Sequence, residues 1–210
     1  MMHLEFAKQN SRLLYLLLLL CAAMACTKVQ TVEDLQAYVK DPDNGLRKER
    51  EIGRVKMSVT YRPTDLLVKQ SLSSKPTDGE IDSLRRDFGK MVYFVLSMSA
   101  EKREVEGYAL PKNGFSDRFH TLAFEMGNYV RLITEAKDTI PVADYFYQRT
   151  FGAGESSDLL FLFDQAKLQK SSSFKIQVDD FGLGVGDQNF KFQTDNIKDT
   201  PSLGREYLKQ

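Results

Sequence analysis

The clearest signal in the chain is an alternation. Val55, Met57, Val59 and Tyr61 are apolar, and Lys56, Ser58, Thr60 and Arg62 between them are polar. A period of two predicts a strand with one buried face, and Pro63 ends it. Residues 91–99 form an apolar run that reads as a strand buried on both faces. Further on, His120, Leu122, Phe124 and Met126 predict one face of another strand, and Tyr129–Thr134 the next. Ala143–Phe151 is rich in aromatics, Leu159–Phe163 (LLFLF) reads as a core strand, and Phe174, Ile176 and Val178 alternate again. Phe190 and Phe192 mark a final strand.

Helical spacing is confined to the N-terminal part. Val32, Leu35 and Val39 lie on one helical face, with Thr31 as cap and Asp34 three residues on. Residues 64–71 predict a short helix. Ile81, Leu84 and Phe88 predict another, with Asp82, Arg85 and Arg86 pointing outward. Turn chemistry separates these elements at Asp41-Pro42-Asp43-Asn44-Gly45, Glu101–Gly107, Asn113-Gly114, Gly152–Ser157 and Gly182–Gly186. The predicted fold class is mainly β, a β-sandwich or barrel with two or three short N-terminal helices. Residues 31–210 read as one β-rich domain.

The first 25 residues do not fit that pattern. A polar leader carrying Lys8 and Arg12 is followed by an apolar run over residues 13–25. A membrane-spanning helix needs about 20 apolar residues, so the run is too short to span. It has the build of an export signal. Loss of residues 1–25 removes Lys8, Arg12 and Glu5 and leaves one more acidic than basic residue. A balanced charge gives no basic field for nucleic acid. Cys21 and Cys26 are the chain's two cysteines, so the body of the protein has no disulfide and no cysteine-based metal site.

Ala23-Met24-Ala25-Cys26 resembles the lipobox of bacterial lipoproteins, with Ala23 where that family prefers Leu. The resemblance implies cleavage before Cys26 and a diacylglyceryl group on its thiol. Residues 1–25 are then a signal peptide and 26–30 a lipid-anchor tether. Ala23 and Ala25 also satisfy the small-residue rule of ordinary signal peptidase, which leaves secretion as a soluble protein open. Lipid anchoring accounts better for an otherwise unpaired thiol in an oxidising compartment. Thr27 is not the Asp that retains such proteins at the inner membrane, so the resemblance favours the outer membrane. Residues 115–197 are similar to the immunoglobulin-like β-sandwich modules of bacterial envelope lipoproteins. In these modules an aromatic-rich stretch, a Gly-containing loop and an apolar strand recur in succession.

Motifs that carry chemistry are weak. Gly182-Leu183-Gly184-Val185-Gly186 has the glycine content of a phosphate loop, but a strand follows it where a helix is required, so it reads as a hairpin turn. Ser99–Lys102 and Ser172–Lys175 fit Ser-x-x-Lys at strand edges, without the helical turn that the chemistry needs. His120 is the lone histidine after residue 25 and reads as a core or boundary residue. Asp179 and Asp180 are adjacent, so a strand would point them apart. Arg47, Lys48, Arg50, Arg54 and Lys56 form a basic cluster diluted by Glu49 and Glu51. No catalytic residue, metal or cofactor is assigned. The reading is a membrane-anchored envelope module that binds or assembles without catalysis, its partners a membrane and another envelope protein. The alternatives are a small glycan hydrolase using two carboxylates and a structural subunit of an envelope complex.

Overall fold

The computed structural model describes residues 29–108 and 114–210. The signal segment and Ala23, Met24, Ala25 and Cys26 lie outside the described residues, as does Asn113 of the Asn-Gly turn.

The chain opens with α1 (Val32–Lys40). Its capping box is complete: Thr31 Oγ1 accepts from the Asp34 amide at 3.0 Å, and the Asp34 carboxylate accepts from the Thr31 amide at 3.0 Å. The Asp-Pro-Asp-Asn-Gly stretch forms a short 3₁₀ turn. Gly45 closes it at φ +66°, a conformation open to glycine. β1 (Arg47–Ile52) and β2 (Val55–Tyr61) form a hairpin, then α2 (Thr64–Ser71) and α3 (Asp78–Phe88) lead into β3 (Met91–Ala100). After the short β4 (Arg103–Glu104) comes a helical segment made of α4 (Gly114–His120), a π-helical stretch (Thr121–Glu125) and α5 (Met126–Tyr129). β5 (Val130–Thr134), β6 (Thr139–Pro141), β7 (Asp144–Gln148) and β8 (Ser157–Asp164) follow. α6 (Gln165–Leu168), β9 (Ser173–Val178), β10 (Gln188–Gln193), α7 (Thr194–Lys198) and α8 (Arg205–Leu208) complete the chain.

All strand pairs are antiparallel. The larger sheet runs β1-β2-β3-β8-β7, with β4 on β3, and the smaller runs β10-β9-β5-β6. Their facing sides share one core. Phe94 of β3 is its centre: its ring lies 5.7 Å from Phe174 and 5.2 Å from Phe192 of the smaller sheet. It is also 6.3 Å from Phe163 of β8. Such contacts between rings add about 0.5–1.5 kcal/mol per pair beyond area burial. The period-two residues of β2, β8, β9 and β10 all point into this core, as their alternation predicts.

A second core lies among the helices. Leu35 of α1, Leu66 and Val68 of α2, Ile81 of α3, Leu203 and Leu208 of α8 pack together, and Val29 joins them. The C-terminal segment is tied back by Arg205 to Asp82, Lys209 to Asp78, and the Lys69 ammonium to the Leu208 carbonyl.

Four expectations are corrected. The helices extend beyond the N-terminal part, because α4 to α8 punctuate the second half. Residues 120–126 are helical, not a strand: Leu122 and Met126 are fully buried and Phe124 is 69% exposed, the i, i+4 spacing of a helix. The four residues His120, Leu122, Phe124 and Met126 fit periods of 2 and of 4 alike, and packing against Tyr145 and Tyr147 of β7 selects the helix. β3 is buried on both faces only at its start, where Tyr93 meets Phe88 of α3 at 6.2 Å. Beyond it Val95, Ser97 and Ser99 are half-buried. Finally, Arg85 does not point to solvent; it chelates the buried Asp65 carboxylate.

Candidate functional site

The sequence motifs are taken up by structure. In the glycine-rich loop, Asp180 Oδ1 accepts the amides of Gly182, Leu183 and Gly184, and Oδ2 that of Gly186, at 2.9–3.2 Å. A carboxylate of the chain thus fills the nest that a phosphate would need. Burial alone would raise Asp180, but the four amide bonds outweigh it and hold the carboxyl below its ordinary value. Asp179 turns the other way and pairs with Arg131 at 2.7 Å. Neither Ser-x-x-Lys forms a helical turn: Ser99 ends β3 with Lys102 in the turn after it, and Ser172 precedes β9 with Lys175 inside it. His120 is exposed, with Nδ1 3.3 Å from Glu125 Oε1, which corrects its reading as a core or boundary residue.

The basic cluster is split by the strand register. Arg47 and Lys56 lie on the outer face of the larger sheet, both paired with Glu49. Lys48 and Arg50 lie on the opposite face, where Arg50 donates to the Asn189 carbonyl at 3.2 Å and sits over Phe190. Glu104 and Glu106 line a cavity of about 580 Å³. Glu104 accepts the Gly152 and Gly154 amides and Glu106 accepts from Ser157 Oγ. Both are spent on holding loops.

What the fold builds from residues left unclaimed is a groove on the outer face of the larger sheet. The register places side chains there in rows across the strands. One row is Arg47–Thr60–Val95–Leu160–Phe146. The next is Glu49–Ser58–Ser97–Asp158–Gln148. One wall is the C-terminal half of α1, through Gln36, Val39 and Lys40. The volume is about 490 Å³. A second cavity of about 260 Å³ adjoins it, shares Arg62 and Val95, and reaches Phe146.

Two features give the groove chemical character. Its floor carries four small hydroxyls, Ser58, Thr60, Ser97 and Ser99, each a donor and an acceptor. Its lining includes Lys40, Arg62 and Glu155, together with Arg47 and Lys56, which are both paired with Glu49 of the same face. Arg62 stands between the two cavities, and among the described residues no carboxylate forms an ion pair with it. Burial pushes its guanidinium below the ordinary value, yet an arginine stays charged at neutral pH. A half-buried cation without a counter-ion is electrostatically costly and is relieved by an incoming anion.

Sequence reasoning missed this site because its residues fall on the polar side of strands, which reads as solvent-facing. A signal was present: that side of β2 and β3 carries Ser58, Thr60, Ser97 and Ser99, too short to cover a sheet as lysines and glutamates do. No protein-family model matches this chain, and no match was found among curated proteins.

Proposed function

We propose that this protein is a lipid-anchored envelope lipoprotein that binds or assembles without catalysis, with the groove beside α1 as its binding surface. The observation that carries the reading is the groove itself: a floor of small hydroxyls beside Arg62, a half-buried cation with which no carboxylate among the described residues forms an ion pair. The anchor rests on Ala23-Met24-Ala25-Cys26. The fold is proposed as an immunoglobulin-like β-sandwich. Its support is two antiparallel sheets sharing a core, with long-connection neighbours β3–β8 and β5–β9 of the Greek-key kind.

The geometry near the anchor is tight. Val29 already packs on the helical core, and the three steps from Cys26 to Val29 reach at most about 11 Å. α1 then runs about 14 Å along its axis. A groove walled by α1 therefore lies near the headgroups, and its ligand is another component of the same membrane or of the layer next to it. Among the described residues no helix is long and apolar enough to cross a membrane.

Metabolic labelling with palmitate, followed by membrane fractionation, tests the anchor. Wild type is expected to carry label in the membrane fraction and Cys26→Ala to lose both. An unlabelled wild-type protein that stays in the soluble fraction refutes it. Crosslinking in intact cells tests the surface: a photo-reactive residue at Ser99 in the groove is expected to capture an envelope component, and one at Lys170 is not.

A further inference from the structure

We propose that the groove takes a saccharide chain bearing carboxylates, with Arg62 holding the carboxylate and Ser58, Thr60, Ser97 and Ser99 reading the sugar hydroxyls. This rests on the groove being a binding surface, as proposed above.

Three observations select the ligand class. The groove lies on the face of a sheet, where the backbone amides and carbonyls of β2, β3 and β8 are consumed in ladders on both sides. A peptide that pairs by strand addition finds no free edge there, so the ligand is read by side chains alone. Ser58 and Ser97 are cross-strand neighbours at about 4.8 Å, with Thr60 two residues along β2 and Ser99 two residues along β3. Such a surface matches a ligand with many hydroxyls. Next to the hydroxyls runs a short apolar strip, Val95–Leu160–Phe146, ending in a ring that is 58% exposed. A flat strip of this kind suits the C–H face of a pyranose.

The charge pattern sets the anion. Arg62 presents a planar fork that matches a carboxylate through two parallel hydrogen bonds. Lys40 adds charge on the wall beside it. Glu155 in the groove and Asp158 in the adjoining cavity add negative charge. They disfavour a dense polyanion such as nucleic acid, and they tolerate single carboxylates spaced along a neutral chain. The result is a site for an acidic polysaccharide of low charge density.

The test uses the full chain in a non-ionic detergent and three probes: a tetrasaccharide of alternating glucuronate and N-acetylglucosamine, neutral chitotetraose, and inorganic phosphate. Calorimetry gives affinity and amide shifts locate the site. The acidic tetrasaccharide is expected to move the amides of Ser58, Thr60, Val95 and Ser97. It is expected to bind at least about tenfold more tightly than chitotetraose, the value of one charge-assisted bond pair. Arg62→Gln should remove that preference, and Arg62→Lys should restore part of it. Unchanged binding by Arg62→Gln overturns the assignment, as does equal binding of chitotetraose or tighter binding of phosphate; groove shifts in those cases leave the binding surface standing. No groove shift from any probe overturns the saccharide assignment, and the crosslinking experiment then decides on the surface separately.

Discussion

Asp65 and Arg85 form a two-pronged pair, Nε to Oδ1 and Nη2 to Oδ2, both at 2.8 Å. It joins α2 to α3. The same carboxylate accepts the Leu203 amide at 2.6 Å, and Arg85 Nη2 donates to the Leu203 carbonyl at 2.6 Å. One ion pair thereby clips the C-terminal segment onto α2 and α3. Asp65 is 5% exposed, so Asp65→Ala strands a cation and an amide. Breaking a fully buried pair costs about 3–5 kcal/mol; here Arg85 is partly accessible, and a loss of about 2–3 kcal/mol in urea denaturation is expected. A loss under about 0.5 kcal/mol, the usual range of a surface substitution, would contradict the clip.

Asp180 gives the glycine loop an acid sensitivity. Its folded-state value lies below the ordinary 3.8. The carboxylate therefore stabilises the fold above pH 3.8, and that contribution is lost as pH falls through the lower folded-state value. Asp180→Ala should lower stability at pH 7 by about 1–2 kcal/mol and flatten the stability profile below pH 3.8. An unchanged acid limb refutes the internal nest.

Tyr61 produces the opposite limb. Burial, with the Asp65 charge adding to it, pushes the phenol from 10.0 to about 12. Its folded-state value is raised, so the stabilisation is complete below pH 10 and is lost as pH rises from 10 to about 12. Absorbance titration at about 295 nm, the phenolate band, should show Tyr61 ionising last, after Tyr93 and Tyr145, which burial also raises, and Tyr61→Phe should remove that last step. Ionisation of every tyrosine near 10 would contradict the burial.

The helical reading of residues 121–126 has a direct contrast. Leu122→Ala empties a fully buried site and is expected to cost about 2–5 kcal/mol. Phe124→Ala, on an exposed ring, should stay within about 0.5 kcal/mol. A strand with both residues on one face demands similar losses, so equal values from thermal melts would restore the strand.

Period two is a property that a sequence carries by itself, because successive strand side chains must alternate and water sorts them. Val55, Met57, Val59 and Tyr61 therefore announced β2. The Thr31–Asp34 cap and the turn at Gly45 were legible for the same local reason: a short side chain reaches its own backbone, and only glycine turns left freely. Residues 120–126 carried two compatible periods, and only the neighbouring Tyr145 and Tyr147 decided between them. Arg85 read as a surface charge, since nothing in the chain between it and Asp65 announces that the two meet. The groove needed more still. Ser58, Ser97 and Asp158 become one row through the register of three strands drawn from distant parts of the chain, and α1 becomes its wall through a core shared with the C-terminal segment. Local interactions set the elements; long-range packing set which polar faces look at each other, and so placed Arg62 half-buried with, among the described residues, no carboxylate in an ion pair with it.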